Sequence, residues 1–542
     1  MSSVPLRSSL LFLPLLIIMA AAFAVIIPFF FLGNPSGHDF EFHMNSWMEV
    51  LGQWKQGILY PRWASLANHG YGEARFIFYP PASWMIGAAL GGLLPWRMVP
   101  GAYVWLALTL SGCSMFLLAR GWMNRRDAIF AAAVYAANPY YLVIVYWRSA
   151  FAELLAGALF PLLLLAIVRL EERQRRGTVF VGVLVAAAWL TNIPAAVMLS
   201  YSLALLVATL AIARRRPGLL LRGAVSVAIG AALAAFFLLP AMWEQKWVAL
   251  AQVLAPGVRP QDNFLFTIIP DPDHNRFNLL VSLIAATEII VVAIAARARV
   301  SQPAGRLLVV WSATGVLLMS SLSGRLWAFL PALRFAQIPW RWLLCLSVSF
   351  AVLVTLAARS WATRAFVYLA VLIVMAFVWQ RVQPPWWDNA ASIAQMAGLH
   401  ASGGGYEGAD EYVPAGGDAY DVRADEARVT VDGGTPAAIN VTQWDAESKQ
   451  FVVNVSTSSQ AVLRLFYYPA WRVRVNGQPV EAEPQDDTGA MIVPLPAGND
   501  RVQVYFARTW DRIAGNALSL ATILAISSAM LFQPRLFETQ PE

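Results

Sequence analysis

The segment 10–32, LLFLPLLIIMAAAFAVIIPFFFL, carries no charged residue. A transmembrane helix needs about 20 predominantly apolar residues, so this run is long enough to cross a bilayer. Its apolar core is too long for a secretory signal peptide and no small-residue cleavage site follows, so it is expected to remain as an anchor helix. The chain then turns polar at once, in Gly37-His38-Asp39-Phe40-Glu41-Phe42-His43. Two carboxylates and two imidazoles beside a bilayer are costly to desolvate, and such groups usually have a function there.

Composition agrees with that start. The 542 residues are 58% hydrophobic and only 13% charged, with a mean hydropathy of +0.56. A soluble domain carries about 25% charged residues. The expected class is therefore a polytopic α-helical membrane protein. Segment 388–510 holds 16 acidic and 8 basic residues, a balance of −8 in a chain of net +7, which leaves +15 elsewhere. Most of that excess sits in short loops between apolar runs, the mark of a cytoplasmic membrane face. It is not a nucleic-acid-binding surface, and no nucleic acid is expected as a partner. Cys113 and Cys345 both lie in apolar runs and suggest no disulfide framework.

Apolar length places about 12 spans near 10–32, 101–119, 127–146, 152–170, 178–195, 198–213, 223–242, 277–296, 306–322, 342–358, 364–381 and 512–532. The basic loops at Arg120/Arg125/Arg126, Glu171-Glu172-Arg173-Gln174-Arg175-Arg176, Arg214–Arg216, Arg297/Arg299 and Arg359/Arg364 then share the cytoplasmic side. Residues 80–95 are apolar but short and begin with Pro80-Pro81; an in-plane helix keeps the charge alternation intact. No internal repeat of the kind that marks many transporters is visible. Within 388–510, strand-like alternation recurs, and Asn476-Gly477 after Trp471–Val475 is a type I′ hairpin signal. The expected organisation is a transmembrane domain over 1–384 with a first outer loop at 33–100. A periplasmic β-sandwich follows over 385–511, then a last helix and cytoplasmic tail over 512–542. Ser402–Gly417 reads as a loop or linker.

Several polar groups are candidates for chemistry. On a helix, Asp39 and His43 share a face at i,i+4, with Glu41 and His38 beside them. Asp39 suits a proton acceptor, its basicity raised by desolvation near the bilayer; its plainer role is a helix cap. Arg62, in Leu59-Tyr-Pro-Arg-Trp63, and Tyr79, in Phe76–Pro81, join the same loop as candidate substrate-binding residues. Its aromatics suit stacking on a sugar ring, or membrane anchoring in the case of Trp47 and Trp54. At the second outer turn, Arg148 suits a phosphate, and Glu153 positions it or adds an acid–base group. A mutual ion pair is the alternative. Arg334 and Arg341 lie on the outer side, against the positive-inside bias; they suit a lipid-linked phosphate or simple headgroup anchoring. The loop 243–276 is long enough to act as a lid. Its Asp271-Pro-Asp273-His274 cluster reads as a solvated loop, with a divalent cation as the other possibility. No metal ligand set is assigned.

The order GHDFEFH (37–43), YPRW (60–63), GYG (70–72), FIFYPP (76–81), YWRSAFAE (146–153) and LRFAQIPWRW (333–342) resembles the bacterial membrane proteins described as 6-pyruvoyl-tetrahydropterin-synthase-related. It is also similar to the YfhO-type proteins, as is FYYPAWRVRVNGQPV (466–480). No pterin site is apparent. Both groups resemble GT-C glycosyltransferases, polytopic enzymes that take a sugar from a polyprenyl-phosphate carrier. The resemblance implies a GT-C-like membrane domain in the bacterial inner membrane with its active site on the periplasmic side. It also implies a polyprenyl-phosphate-sugar donor, membrane lipids as surroundings, and a glycan, lipid or protein acceptor. It makes Asp39, with Glu41 as neighbour, the catalytic base or metal ligand, and Glu153 the assisting carboxylate. His38, His43, Arg62, Tyr79, Arg148, Arg334 and Arg341 are then substrate-binding candidates. No Asp-x-Asp pair stands in the second outer loop, which favours a base mechanism that inverts the anomeric centre. Other functions compatible with the same residues are a transporter or flippase for a lipid-linked glycan and a non-catalytic envelope-assembly factor.

Overall fold

The computed structural model describes residues 9–170, 174–297, 303–382, 387–432 and 438–531. The expected loop residues Glu171, Glu172, Arg173 and Arg299, the domain junction at 384/385 and the tail beyond 531 lie outside them. Among the described residues, eight helices are long and apolar enough to cross a membrane. Two helix pairs meet the same length and composition only together and are sharply bent: Gly218–Leu233 with Ala235–Trp247 at 78°, and Gly305–Met319 with Ser321–Phe329 at 85°. The remaining expected spans are helical too, as Gln174–Thr191 and Trp361–Val382.

Side-chain chemistry explains the breaks. The expected span 178–195 stops at Thr191, because Asn192 caps the next helix by accepting from the Ala195 N–H at 2.9 Å, with Pro194 in its first turn. Asn138 breaks the third span in the same way, accepting from the Tyr141 N–H at 2.9 Å ahead of Pro139. The chain then runs into a wide turn at Ile144–Arg148 and reverses at Ser149, whose φ is 50°. The short helix Pro81–Leu93 spans about 20 Å at 1.5 Å per residue, too little for a bilayer core of about 30 Å. It packs between the Phe40–Lys55 and Val99–Ala119 helices.

The C-terminal region is a two-sheet sandwich. One sheet orders Val429–Val431, Ser459–Phe466, Ala490–Leu495 and Glu483–Pro484; the other orders Ala438–Trp444, Ser448–Val455, Gly498–Phe506, Trp471–Val475 and Gln478–Val480. All pairings are antiparallel. Asn476 and Gly477 turn with φ of 52° and 81°, both positive as a type I′ turn requires. Trp471, Val473 and Val475 point into the core and Arg472 and Arg474 outward, by strand alternation.

The sandwich is docked, not merely tethered. Phe466, Tyr468 and Trp471 are buried against Tyr71 and Trp63 of the first loop. Tyr468 Oη donates to Glu244 at 2.6 Å, and Arg512 of the last helix donates to the same carboxylate at 2.7 and 2.8 Å. Residues 402–417 are equally engaged. Tyr406 exchanges backbone hydrogen bonds with Leu66 and His69 at 3.0 Å, and its hydroxyl donates to the buried Glu49 at 2.6 Å. The Ala409 N–H donates to the buried Glu73 at 2.9 Å.

Candidate active site

Backbone pairing sets the geometry of the site. As the chain leaves the first span, Asn34–Pro35 pairs with Trp387–Asp388. The His38 and Asp39 N–H groups donate to the carbonyls of Trp147 and Arg148 at 3.3 and 2.8 Å, and the Gly37 N–H donates to Ser149 Oγ at 3.0 Å. A Cβ on Gly37 would fall 2.6 Å from the Arg148 carbonyl carbon, so only glycine permits this approach. Asp39 is thereby carried to the end of the third span, and its carboxylate lies 3.9 Å from the Arg148 guanidinium.

Arg148 is in turn fixed by Glu153, whose Oε2 accepts from Arg148 at 2.6 Å and from Arg341 at 3.0 Å. Oε1 accepts from the Tyr140 hydroxyl. Gln337 accepts from Arg341 at 2.7 Å, and Arg148 lies over the Trp340 ring. Glu153 is 2% exposed, against 8% for Arg148 and 7% for Arg341. One buried carboxylate thus organises two guanidinium groups, each with further donors than Glu153 uses.

These groups border a cavity of about 1920 Å³. His38, Asp39, Glu41, Tyr79, Arg148, Glu153 and Arg341 line it, and apolar residues such as Trp189, Phe237 and Met242 form another wall. Segment 404–412 closes one side, and loop residues between Gln252 and Asn263 close another. That loop is joined to the same segment, since the Ala249 N–H donates to the Val413 carbonyl at 3.1 Å.

The remaining candidates separate from this group. Arg62 is buried elsewhere, over the Tyr60 ring and donating to the Phe236 carbonyl at 3.2 Å. Arg334 is exposed, lies over Phe335 and is not part of the cavity lining. His43 is 1% exposed and packs among Trp47, Tyr79 and Phe151 instead of facing the cavity. Asp271 lines the cavity, but its Oδ1 caps the following helix by accepting from Asp273 and His274 N–H groups at 3.0 and 3.1 Å. His274 Nε2 lies 3.1 Å from the Asp262 carbonyl, so this cluster does not present a free cation cradle.

Electrostatics correct one expectation. Burial does push the Asp39 carboxyl up, but the His38 hydrogen bond at 2.7 Å and the charges of Arg148, His38 and His43 outweigh it. The carboxyl is held well below the usual carboxylate range instead of above it. His38 is raised in return, chiefly by its hydrogen bond and charge pairing with Asp39. Burial lowers His43 to about 4, against the opposing pull of Asp39. Burial raises Glu41, helped by the nearby charges of Asp388 and Glu407.

The sequence reading did not anticipate the buried group beneath the first loop. Arg75, 1% exposed, donates to Glu73 at 2.6 Å and to Ser46 at 2.9 Å and lies over the Phe42 ring. Glu49 accepts from Ser65, the Leu66 N–H and Tyr406. Charged residues inside an aromatic-rich loop were the available signal, because such residues are buried only when paired.

The fold and site define a polytopic membrane protein with an arginine-bearing cavity, walled by its helices, its loops and the segment that leads into a β-sandwich. The chain belongs to the membrane-protein family described as the 6-pyruvoyl-tetrahydropterin synthase related domain, which matches residues 76–383. Arg148, Glu153 and Arg341 fall inside that match, and Asp39 precedes it. No curated protein matches the chain. Among solved structures, it is similar to ArnT from Cupriavidus metallidurans bound to undecaprenyl phosphate. That similarity has 12% identity, 73% coverage of this chain, 75% of the other, and a TM-score of 0.45. The Archaeoglobus fulgidus oligosaccharyltransferase in its apo form aligns at 13% identity, over 75% of this chain and 57% of its own, with a TM-score of 0.40.

Proposed function

We propose that the protein is a membrane glycosyltransferase that moves a sugar from a polyprenyl-phosphate donor to an acceptor hydroxyl at this cavity, on the periplasmic face of the bacterial inner membrane. The observation that carries the reading is the convergence of Asp39 and Glu153 on one guanidinium, with Arg341 alongside, at a cavity with both polar and apolar walls.

Arg148 and Arg341 receive the donor phosphate, whose charge grows as the bond to the anomeric carbon breaks. Glu153 positions both guanidiniums; its oxygens are already occupied, so it is a positioning residue and not a second base. The acceptor oxygen attacks the anomeric carbon as the phosphate leaves with the bonding pair, inverting that centre. Asp39 takes the acceptor proton. A carboxylate held this low cannot deprotonate a neutral alcohol in advance, so the proton moves late in the transition state, as bond formation makes the attacking oxygen acidic. Holding donor and acceptor in one geometry supplies much of the remaining acceleration.

The test is donor consumption by purified protein in nanodiscs, with a panel of radiolabelled polyprenyl-phosphate sugars and crude envelope lipids and glycans as acceptors. Turnover by the wild type that Asp39→Asn abolishes supports the reading. Donor movement across a liposome bilayer without turnover would instead favour a transporter.

A further inference from the structure

One buried carboxyl group plays no part in the cavity chemistry. Glu288 stands sixteen residues into the helix Pro272–Arg297, about 24 Å along its axis, within an apolar span. It is 1% exposed and does not line the cavity. Its hydrogen-bonding partner is Ser347 Oγ, at 3.2 and 3.4 Å from its two oxygens, long for hydroxyl bonds. No cationic side chain pairs with it among the described residues. The titratable group facing it is Tyr135, on the Arg125–Ala136 helix, which carries no positive charge. An isolated carboxylate in such surroundings is too costly to leave ionised, and intramembrane acids that persist usually carry protons or ions.

The neighbours make its proton consequential. Ser347 has one hydroxyl hydrogen and two acceptors within reach: Glu288, and Asn138 Oδ1 at 3.4 Å. A neutral Glu288 donates to Ser347, which leaves the Ser347 hydrogen for Asn138. An ionised Glu288 claims that hydrogen, and Asn138 Oδ1 keeps only the Tyr141 N–H. Asn138 caps the short helix that carries Tyr140, and Tyr140 donates to Glu153.

We propose that Glu288 is a proton-binding site inside the helix bundle, read by Ser347 and passed to the Asn138 cap beside the arginine cluster. The inference does not depend on transferase activity.

Infrared spectroscopy of the full-length protein in nanodiscs tests it. The wild type at neutral pH should show a protonated-carboxyl C=O band that is missing from Glu288→Gln and lost reversibly on alkaline titration. Ser347→Ala should move that band to higher frequency, because the acid loses its acceptor. If Glu288→Gln does not fold, the Ser347→Ala shift together with alkaline titration of the wild type assigns the band. Absence of the band from the wild type, or identical spectra for wild type and both variants, would overturn the proposal. So would a band that sodium removes at constant pH, which would make the site one for a metal cation.

Discussion

Asp39 and Arg148 are joined through both backbone and side chain: the Asp39 N–H donates to the Arg148 carbonyl at 2.8 Å, and the carboxylate approaches the guanidinium to 3.9 Å. Their separation is therefore set by the chain path, not by charge alone. Substrate is expected to meet a group already in place.

That path predicts the effect of a single methyl group. Gly37→Ala places a Cβ within 2.6 Å of the Arg148 carbonyl carbon and the Trp147 carbonyl oxygen, and backbone there cannot yield as a flexible side chain does. The variant should insert normally but lose roughly 100-fold or more in turnover, as misplacement by about 1 Å does elsewhere. Turnover within twofold of wild type would contradict the positioning argument.

Glu153→Gln should be destabilising as well as inactivating. Removing one partner of a buried ion pair costs about 3–5 kcal/mol, because the remaining charge is left uncompensated. Here the side chains of Arg148 and Arg341 are 10% and 9% exposed, so solvent screens little of the loss. A lowered unfolding temperature in nanodiscs is expected. Arg334→Gln, on an exposed residue off the cavity, should change neither stability nor donor KM.

The pH dependence of stability follows from His43. Its folded value of about 4 lies below the ordinary 6.5, so the unfolded chain binds the extra proton first. Stability should be full above about pH 6.5 and fall as the pH drops towards 4, by at most about 3 kcal/mol for this group. His400 is also lowered to about 4 by burial and contributes with the same sign. His43→Phe should remove about half of this two-histidine slope in thermal unfolding followed from pH 7 to 4.

Activity should respond differently. His38 is among the groups that hold the Asp39 carboxyl low, so His38→Gln should let it rise towards its usual range. The acid limb of the kcat/KM profile should then move to higher pH. An unmoved limb would show that Asp39 is not the group titrating.

Much of this was legible in the chain. The apolar runs located the helices, strand alternation and Asn476-Gly477 located the sandwich, and Asp39, Arg148, Glu153 and Arg341 were each marked by charge at the end of an apolar run. Three features were not legible, for physical reasons. The bend after Leu233 occurs inside a continuous apolar segment, where composition does not distinguish a straight helix from a bent one, and the bend after Met319 falls at Ser320-Ser321, close to the expected end of its span. Arg62 and Arg334 look like Arg148 in sequence, but packing alone decides which guanidinium faces the cavity. The low carboxyl of Asp39 rests first on its hydrogen bond with His38 and then on Arg148, brought from 109 residues away; a reading of desolvation alone gave it the wrong sign.

The central claim is that Asp39 is a base working beside an arginine-bound phosphate. Its most direct test is single-turnover transfer from a polyprenyl-phosphate sugar by wild type and by Asp39→Asn, with undecaprenyl phosphate binding measured in parallel. The account predicts a loss of about 10²–10⁴ in the transfer rate, the usual contribution of a positioned general base, with lipid-phosphate binding retained. Equal transfer rates for the two proteins, or phosphate binding that disappears with the Asp39 carboxylate, would contradict it.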